Sequence, residues 1–190
     1  NAIIKCGVPR EELFITSKLW VQDMRTYEDA KQGIDNSLQK SGLEYFDLYL
    51  LHQAIGDYFA AWRAMEDALR EGKLKAIGVS NFYPHVLTNF CETVKIKPMV
   101  NQVELHPYFT QEKALETMKQ YDVIPEAWAP LGGGRYNPFE DEMLLGIAKN
   151  IKNLLDRYYS DGMFKEVSLS FLNQHILKEL LKILIFLISN

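Results

Sequence analysis

From residue 12 to about residue 150, short apolar runs alternate with longer stretches whose apolar residues recur every three or four positions. Leu13-Phe14-Ile15-Thr16, Phe46-Asp47-Leu48-Tyr49-Leu50-Leu51, Ala76-Ile77-Gly78-Val79, Met99-Val100-Asn101-Gln102-Val103 and Val123-Ile124 are rich in β-branched and aromatic residues. They read as strands, and several are nearly continuous apolar runs, as strands buried on both faces of a parallel sheet tend to be.

The stretches between them have helical spacing. Tyr58, Trp62, Met65 and Leu69 fall on one stripe, and Ala30, Ile34 and Leu38 on another. Thr26, with Asp29 three residues on, is a cap-like start for the second stripe. Gly42 and Gly72 stand just past two predicted helix ends, where a left-handed residue is wanted. Val86, Phe90 and Val94 mark a third helix, Ala114, Met118 and Tyr121 a fourth, and Met143, Leu144 and Ile147 a fifth.

A strand–helix repeat of about 25 to 30 residues is the βαβ pattern of a parallel sheet, either doubly wound or closed into a barrel. A doubly wound sheet collects its chemistry at a switch point, whereas a barrel gathers it from the carboxyl ends of many strands. Here polar or aromatic groups sit at or near every predicted strand end: Ser17, Lys18 and Trp20; His52 and Gln53; Ser80 and Asn81; Gln102; and Trp128. No G-x-G-x-x-G follows the first strand. The fold class read from the pattern is α/β, a parallel (β/α)8 barrel.

Four runs carry a resemblance to a known family: Ile15-Thr16-Ser17-Lys18-Leu19-Trp20, Asp47-Leu48-Tyr49-Leu50-Leu51-His52, Gly72-Lys73-Leu74-Lys75-Ala76-Ile77-Gly78-Val79-Ser80-Asn81-Phe82 and Asn101-Gln102-Val103-Glu104-Leu105-His106-Pro107. In order and spacing they resemble the aldo-keto reductases, over about residues 5 to 150. The stretch Leu131-Gly132-Gly133-Gly134-Arg135-Tyr136-Asn137-Pro138-Phe139 is most similar to microbial members of the diketogluconate and aldehyde reductase type.

The resemblance implies reduction of an aldehyde or ketone by a nicotinamide cofactor, NADPH being expected and NAD remaining open. Lys18 matches the family's lysine, which lowers the pKa of a proton-donating tyrosine, and His52 matches the histidine that orients the carbonyl oxygen. Ser80, Asn81 and Gln102 match the residues that hold the nicotinamide carboxamide, which offers one acceptor and two donors. Trp128 matches the ring stacked on the nicotinamide, and Pro130, Leu131 and Gly132 open a glycine-rich loop suited to a pyrophosphate. Trp20 and Gln53 are expected to line the substrate pocket, with Gln53 making one wall more polar. No metal is called for. Of the other histidines, His106 reads as structural and His85 as surface.

The family's tyrosine and aspartate precede the lysine strand, and no tyrosine precedes Lys18. The expectation is therefore a partial barrel, about strands three to seven over residues 1–150, with little or no activity as it stands. Its strand edges are expected to invite self-association. Residues 151–190 read as a divergent helical and apolar tail, in which Val167 to Gln174 faintly echo a family helix. No Pro-Lys-Ser run marks an adenosine-phosphate site there.

Composition narrows the partners. A net charge of -4 with no basic face argues against nucleic acid. The apolar run Ile183-Leu184-Ile185-Phe186-Leu187-Ile188 is far shorter than the roughly 20 residues a spanning helix needs, so no membrane partner is expected. Two cysteines, Cys6 and Cys91, are too few for a disulfide framework and read as buried or half-buried thiols in a reducing, cytoplasmic setting. The expected partner is a small carbonyl substrate. The alternative reading is a non-catalytic protein that kept the fold for nucleotide or partner binding.

Overall fold

Thr26 starts the first long helix for a local reason: its Oγ1 accepts the otherwise orphaned N–H of Asp29 at 3.0 Å. Asp57 does the same for the next helix, accepting from the Ala60 N–H at 2.9 Å. Gly42 ends the first with φ at 69°, where a Cβ would be strained, and its N–H closes the helix onto Leu38. The computed structural model describes residues 2–147, 149 and 150. In chain order these hold α1 (Ala2–Lys5), β1 (Thr16–Leu19), α2 (Tyr27–Ser41), β2 (Leu48–Leu51), α3 (Tyr58–Arg70), β3 (Ile77–Ser80), α4 (Pro84–Thr93), β4 (Val100–Glu104), α5 (Glu112–Gln120) and β5 (Ile124–Trp128). Residues 142–147 are also helical. Among the described residues no helix is long and apolar enough to cross a membrane.

The chain divides into two compact units, Asn1–Glu104 with Gln111–Trp128, and Leu105–Thr110 with the chain from Ala129. In the first unit the five strands are parallel and lie in the order β1-β2-β3-β4-β5. An order that never reverses has no switch point. Right-handed crossovers then place the connecting helices α2 to α5 on the same face, as in a barrel and not in a doubly wound sheet. The helix-side face packs Leu19, Tyr49, Leu51, Ile77 and Val79 against helix residues such as Ile34, Trp62, Met65 and Phe90, all buried. Trp62 and Phe90 meet edge-on at 5.1 Å, and the Trp62 indole N–H donates to the Ile96 carbonyl at 2.9 Å.

At the other end of the strands Asp47 ties the entry to β1 down. It accepts from the Ile15 N–H at 2.8 Å and from the Arg10 guanidinium at 2.7 Å. Burial pushes its carboxyl up, and these donors more than reverse that, holding it below the usual carboxylate value.

The structure moves some sequence boundaries. The first strand is Thr16–Leu19 rather than 13–16, because its ladder runs from Thr16 opposite Leu48 to Leu19 opposite Leu51. Lys18 is thus inside a strand and not beyond its end. The last strand extends through Trp128, past Val123-Ile124. Cys91 is buried, with its thiol pushed up to about 11 by burial, but Cys6 is exposed just past the short helix α1, its thiol donating to the Ile3 carbonyl at 3.0 Å. The tail at 151–190, including Val167 to Gln174, lies outside the described residues.

Gly78 permits the central strands to close up. A Cβ there would stand 2.6 Å from the Val100 carbonyl oxygen and 2.7 Å from Leu50 Cδ2. Gly78→Ala is expected to destabilise the protein by about 1–3 kcal/mol through overpacking. A urea melt checks this, and an unchanged or higher midpoint contradicts it.

Candidate active site

Side chains alternate between faces along a strand, so the ladder decides which groups meet. Lys18 lies opposite Leu50, and Leu50 opposite Gly78. Two positions further on, the same face receives His52, Ser80, Gln102 and Glu126, with Ser80 paired to Gln102 and Gln102 to Glu126. Trp128 follows Glu126 by two and shares that face. His52 sits directly after β2, its N–H donating to the Leu19 carbonyl at 3.2 Å. All of these groups stand at or near the carboxyl ends of the strands.

They form one connected polar set. The Lys18 ammonium donates to Gln102 Oε1, and Gln102 Nε2 donates to Glu126 Oε1. Burial holds the Lys18 ammonium below the usual lysine value, and the Glu126 carboxylate opposes that shift. Burial also lowers His52, and the Lys18 charge lowers it further, so the imidazole is held neutral. The Trp20 ring lies 4.5 Å from the His52 ring, tilted by 34°, and is half exposed. His52 Nδ1 is buried and has no hydrogen-bond partner among the described residues.

Beside this set, Asn81 is left-handed with φ at 59°, a conformation asparagine tolerates better than most residues. Its Nδ2 donates to Ser80 Oγ at 3.1 Å and to the His52 carbonyl at 3.3 Å. Its Oδ1 accepts the Trp128 indole N–H at 2.8 Å, which fixes that ring. Ser80 is fully buried, and its Oγ donates to the Gln102 carbonyl at 3.0 Å. On the opposite face, buried Asn101 clamps the turn after β3: Nδ2 donates to the Phe82 carbonyl at 2.8 Å, and Oδ1 accepts the Phe82 N–H at 3.4 Å.

Of the residues singled out in the sequence, Lys18, His52, Ser80, Asn81, Gln102, Trp128 and Trp20 come together. Gln53 follows His52 half-buried, without a polar contact that defines its role. Pro130, Leu131 and Gly132 belong to the second unit. There Gly132 has φ at 81°, and its N–H turns back onto the Ala129 carbonyl at 2.8 Å. A Cβ on Gly132 would lie 2.9 Å from Tyr136 Cβ, so its bareness serves close packing. In the same unit His106 is buried. Exposed His85 and buried His106 both match their sequence reading.

Sequence reasoning missed Glu126 and Asn101. Period two from Trp128 puts Glu126 on the working face, and a carboxylate in an otherwise uncharged strand was the available signal. Asn101 hid inside a motif whose neighbour Gln102 drew the attention. Tyr49 is the one tyrosine in the described strands. It faces the helices, pairs with Ser37 Oγ at 2.8 Å and is pushed up to about 12 by burial, which suits it poorly to giving up a proton. Among the described residues no cluster of three His, Cys, Asp or Glu side chains is arranged to hold a metal ion.

The sequence matches the Aldo/keto reductase family over residues 1–182, past the point where the individual motifs end. A glyoxal reductase of Bacillus subtilis is 45% identical over 148 residues, covering 77% of this chain and 52% of that protein. An uncharacterised oxidoreductase of the same organism, YtbE, is 46% identical over 136 residues, covering 71% and 48%. The chain thus spans about half the length of the curated relatives it matches. Among solved structures, an aldo-keto reductase from a Medee basin deep-sea metagenome library superposes with a TM-score of 0.75 at 40% identity, covering 80% of this chain and 57% of that one. A Bombyx mori aldo-keto reductase solved in complex with NADP gives 0.71 at 33% identity, covering 80% and 55%. The five parallel strands are therefore part of a (β/α)8 barrel, and this chain belongs to the aldo/keto reductase family.

Proposed function

We propose that these residues form the lysine–histidine and cofactor-facing part of a site that reduces small aldehydes or ketones to alcohols with NADPH, NAD remaining open. The observation that carries the reading is that Lys18 and neutral His52 share one sheet face at neighbouring strand ends.

The roles follow from the chemistry of each group. A neutral imidazole donates one hydrogen bond to a carbonyl oxygen and polarises it without giving up its own charge balance. The Lys18 ammonium favours negative charge beside it, which lowers the pKa of a nearby hydroxyl acid and stabilises a developing alkoxide. No tyrosine stands among the described strand residues of this face. Trp20, whose ring lies tilted against that of His52, and Gln53 beside it are read as walls for a small substrate. The likeness to a glyoxal reductase makes short dicarbonyls the first substrates to try.

The residues also fit a nicotinamide carboxamide. A hydroxyl and two amides, Ser80, Asn81 and Gln102, stand together with both donors and acceptors to exchange, and the Trp128 indole is held by Asn81. When bound, NADPH supplies the hydride. Ser80, Asn81 and Gln102 would hold the carboxamide and Trp128 would cover the ring; for Pro130, Leu131 and Gly132 a part in holding the pyrophosphate is what the family resemblance implies. Both cysteines are free thiols, in keeping with a cytoplasmic protein. The outer edges of β1 and β5, each paired on one side only among the described residues, are where self-association is expected.

NADPH titration of the purified chain, followed by tryptophan fluorescence, tests the reading. Saturable binding is expected, and Trp128→Ala is expected to weaken it about tenfold through lost stacking area. Absence of binding, or full affinity in the variant read by calorimetry, contradicts it.

A second test concerns the state of His52. Because its folded pKa is depressed, the neutral ring contributes stability that is present above the unfolded pKa and is lost as pH falls through the folded one. The imidazole is expected to titrate below the ordinary histidine value by NMR, and Lys18→Met is expected to raise that midpoint by removing a neighbouring positive charge. A midpoint that stays or falls in the variant counts against the pairing.

A further inference from the structure

Glu126 is assigned no part in the site by the family resemblance, yet the Gln102 amide links its carboxylate to Lys18. The bridge between them is the Gln102 amide, whose two ends are chemically unlike. Its oxygen only accepts and its NH2 only donates, while an ammonium only donates and a carboxylate only accepts. With Oε1 on Lys18 and Nε2 on Glu126, both contacts are satisfied and charge-assisted. Turned over, the amide would set NH2 against ammonium and oxygen against carboxylate. The two charges together therefore choose one of two amide orientations, and each contact polarises the other. The neighbours of Lys18 on the adjoining strands include Leu50 and His52 on β2 and beyond it, the uncharged Gly78 and Ser80 on β3, and Gln102 on β4, with Glu104 one pair further along. Glu126 is tied to Lys18 by a continuous path of hydrogen bonds through the Gln102 amide.

We infer that Glu126 is a positioning residue for this site: its carboxylate accepts from Gln102 Nε2 and so holds the Gln102 amide oxygen on the Lys18 ammonium. The inference rests on the reductase reading for its use, but its physical content is independent of it. Burial opposes the charged form of Lys18, and the carboxylate offsets part of that. With Glu126 neutralised, Lys18 sheds its proton at lower pH, and the amide loses the partner that selects its orientation.

The test follows the Cε carbon of Lys18 by NMR across the alkaline range in the 190-residue chain, with the signal assigned through Lys18→Arg. Glu126→Gln keeps an acceptor but removes the charge, and the Lys18 midpoint is expected to fall by about half a unit or more. Glu126→Asp retains the charge and is expected to keep most of the wild-type value. Gln102→Leu keeps the carboxylate but cuts the bridge, and it too is expected to lower the midpoint; this arm stands even if Glu126→Gln does not fold. An unchanged midpoint in Glu126→Gln, an equal drop in Glu126→Asp, or an unchanged or higher midpoint in Gln102→Leu overturns the inference. NADPH titration of the wild-type chain runs alongside. A Lys18 shift without NADPH binding keeps the inference and sinks the reductase reading, while NADPH binding without the Lys18 shift does the reverse.

Discussion

The site depends on the register of one parallel ladder. From Thr16 opposite Leu48 to Glu104 opposite Trp128, the pairs run on without a slip. A strand displaced by one residue would send its whole set of side chains to the other face. Leu19, Leu51, Val79 and Val103 would then leave the helix-side core, and Lys18, Gln102 and Glu126 would enter it. Apolar burial on one face thus fixes the position of every charged group on the other. Gly78 lets the central strands approach closely, and Asn101 holds the turn after β3 from the helix side.

Given that register, the polar face organises itself by simple complementarity. Two charges of opposite sign are joined through an amide that can satisfy both in only one orientation. A histidine near the positive end stays neutral, so it keeps an N–H to offer without carrying charge into the site. Asn81, forced into a left-handed turn, spreads its three contacts over Ser80, His52 and Trp128. Such a set is preorganised: its dipoles already point where a polar ligand would need them, and little has to reorient on binding.

Much of this was legible in the sequence, and the reasons for the exceptions are physical. Apolar runs and stripes gave the strand–helix order and the caps at Thr26 and Gly42, because burial and capping act locally. The start of β1 was misread because Thr16-Ser17-Lys18 is polar; those residues are a strand by pairing with β2, which no local pattern reports. Lys18 and His52 stand out as polar groups at strand ends, and their roles are those that the family resemblance implies. Glu126 escaped because its significance lies in a partner 24 residues away, Gln102, reached only across the sheet. Gly132 stood out as a bare glycine in a loop, whereas its Cβ position is taken up by Tyr136.

The central claim is that one sheet face, and not the other, meets the cofactor. Nuclear Overhauser contacts between the nicotinamide protons of added NADPH and the side chains of the chain test it most directly. Contacts to the Trp128 indole, the Gln102 amide and the His52 ring are expected, with none to Tyr49 or Val79. Contacts to Tyr49 or Val79, with Trp128 and Gln102 silent, would contradict the account.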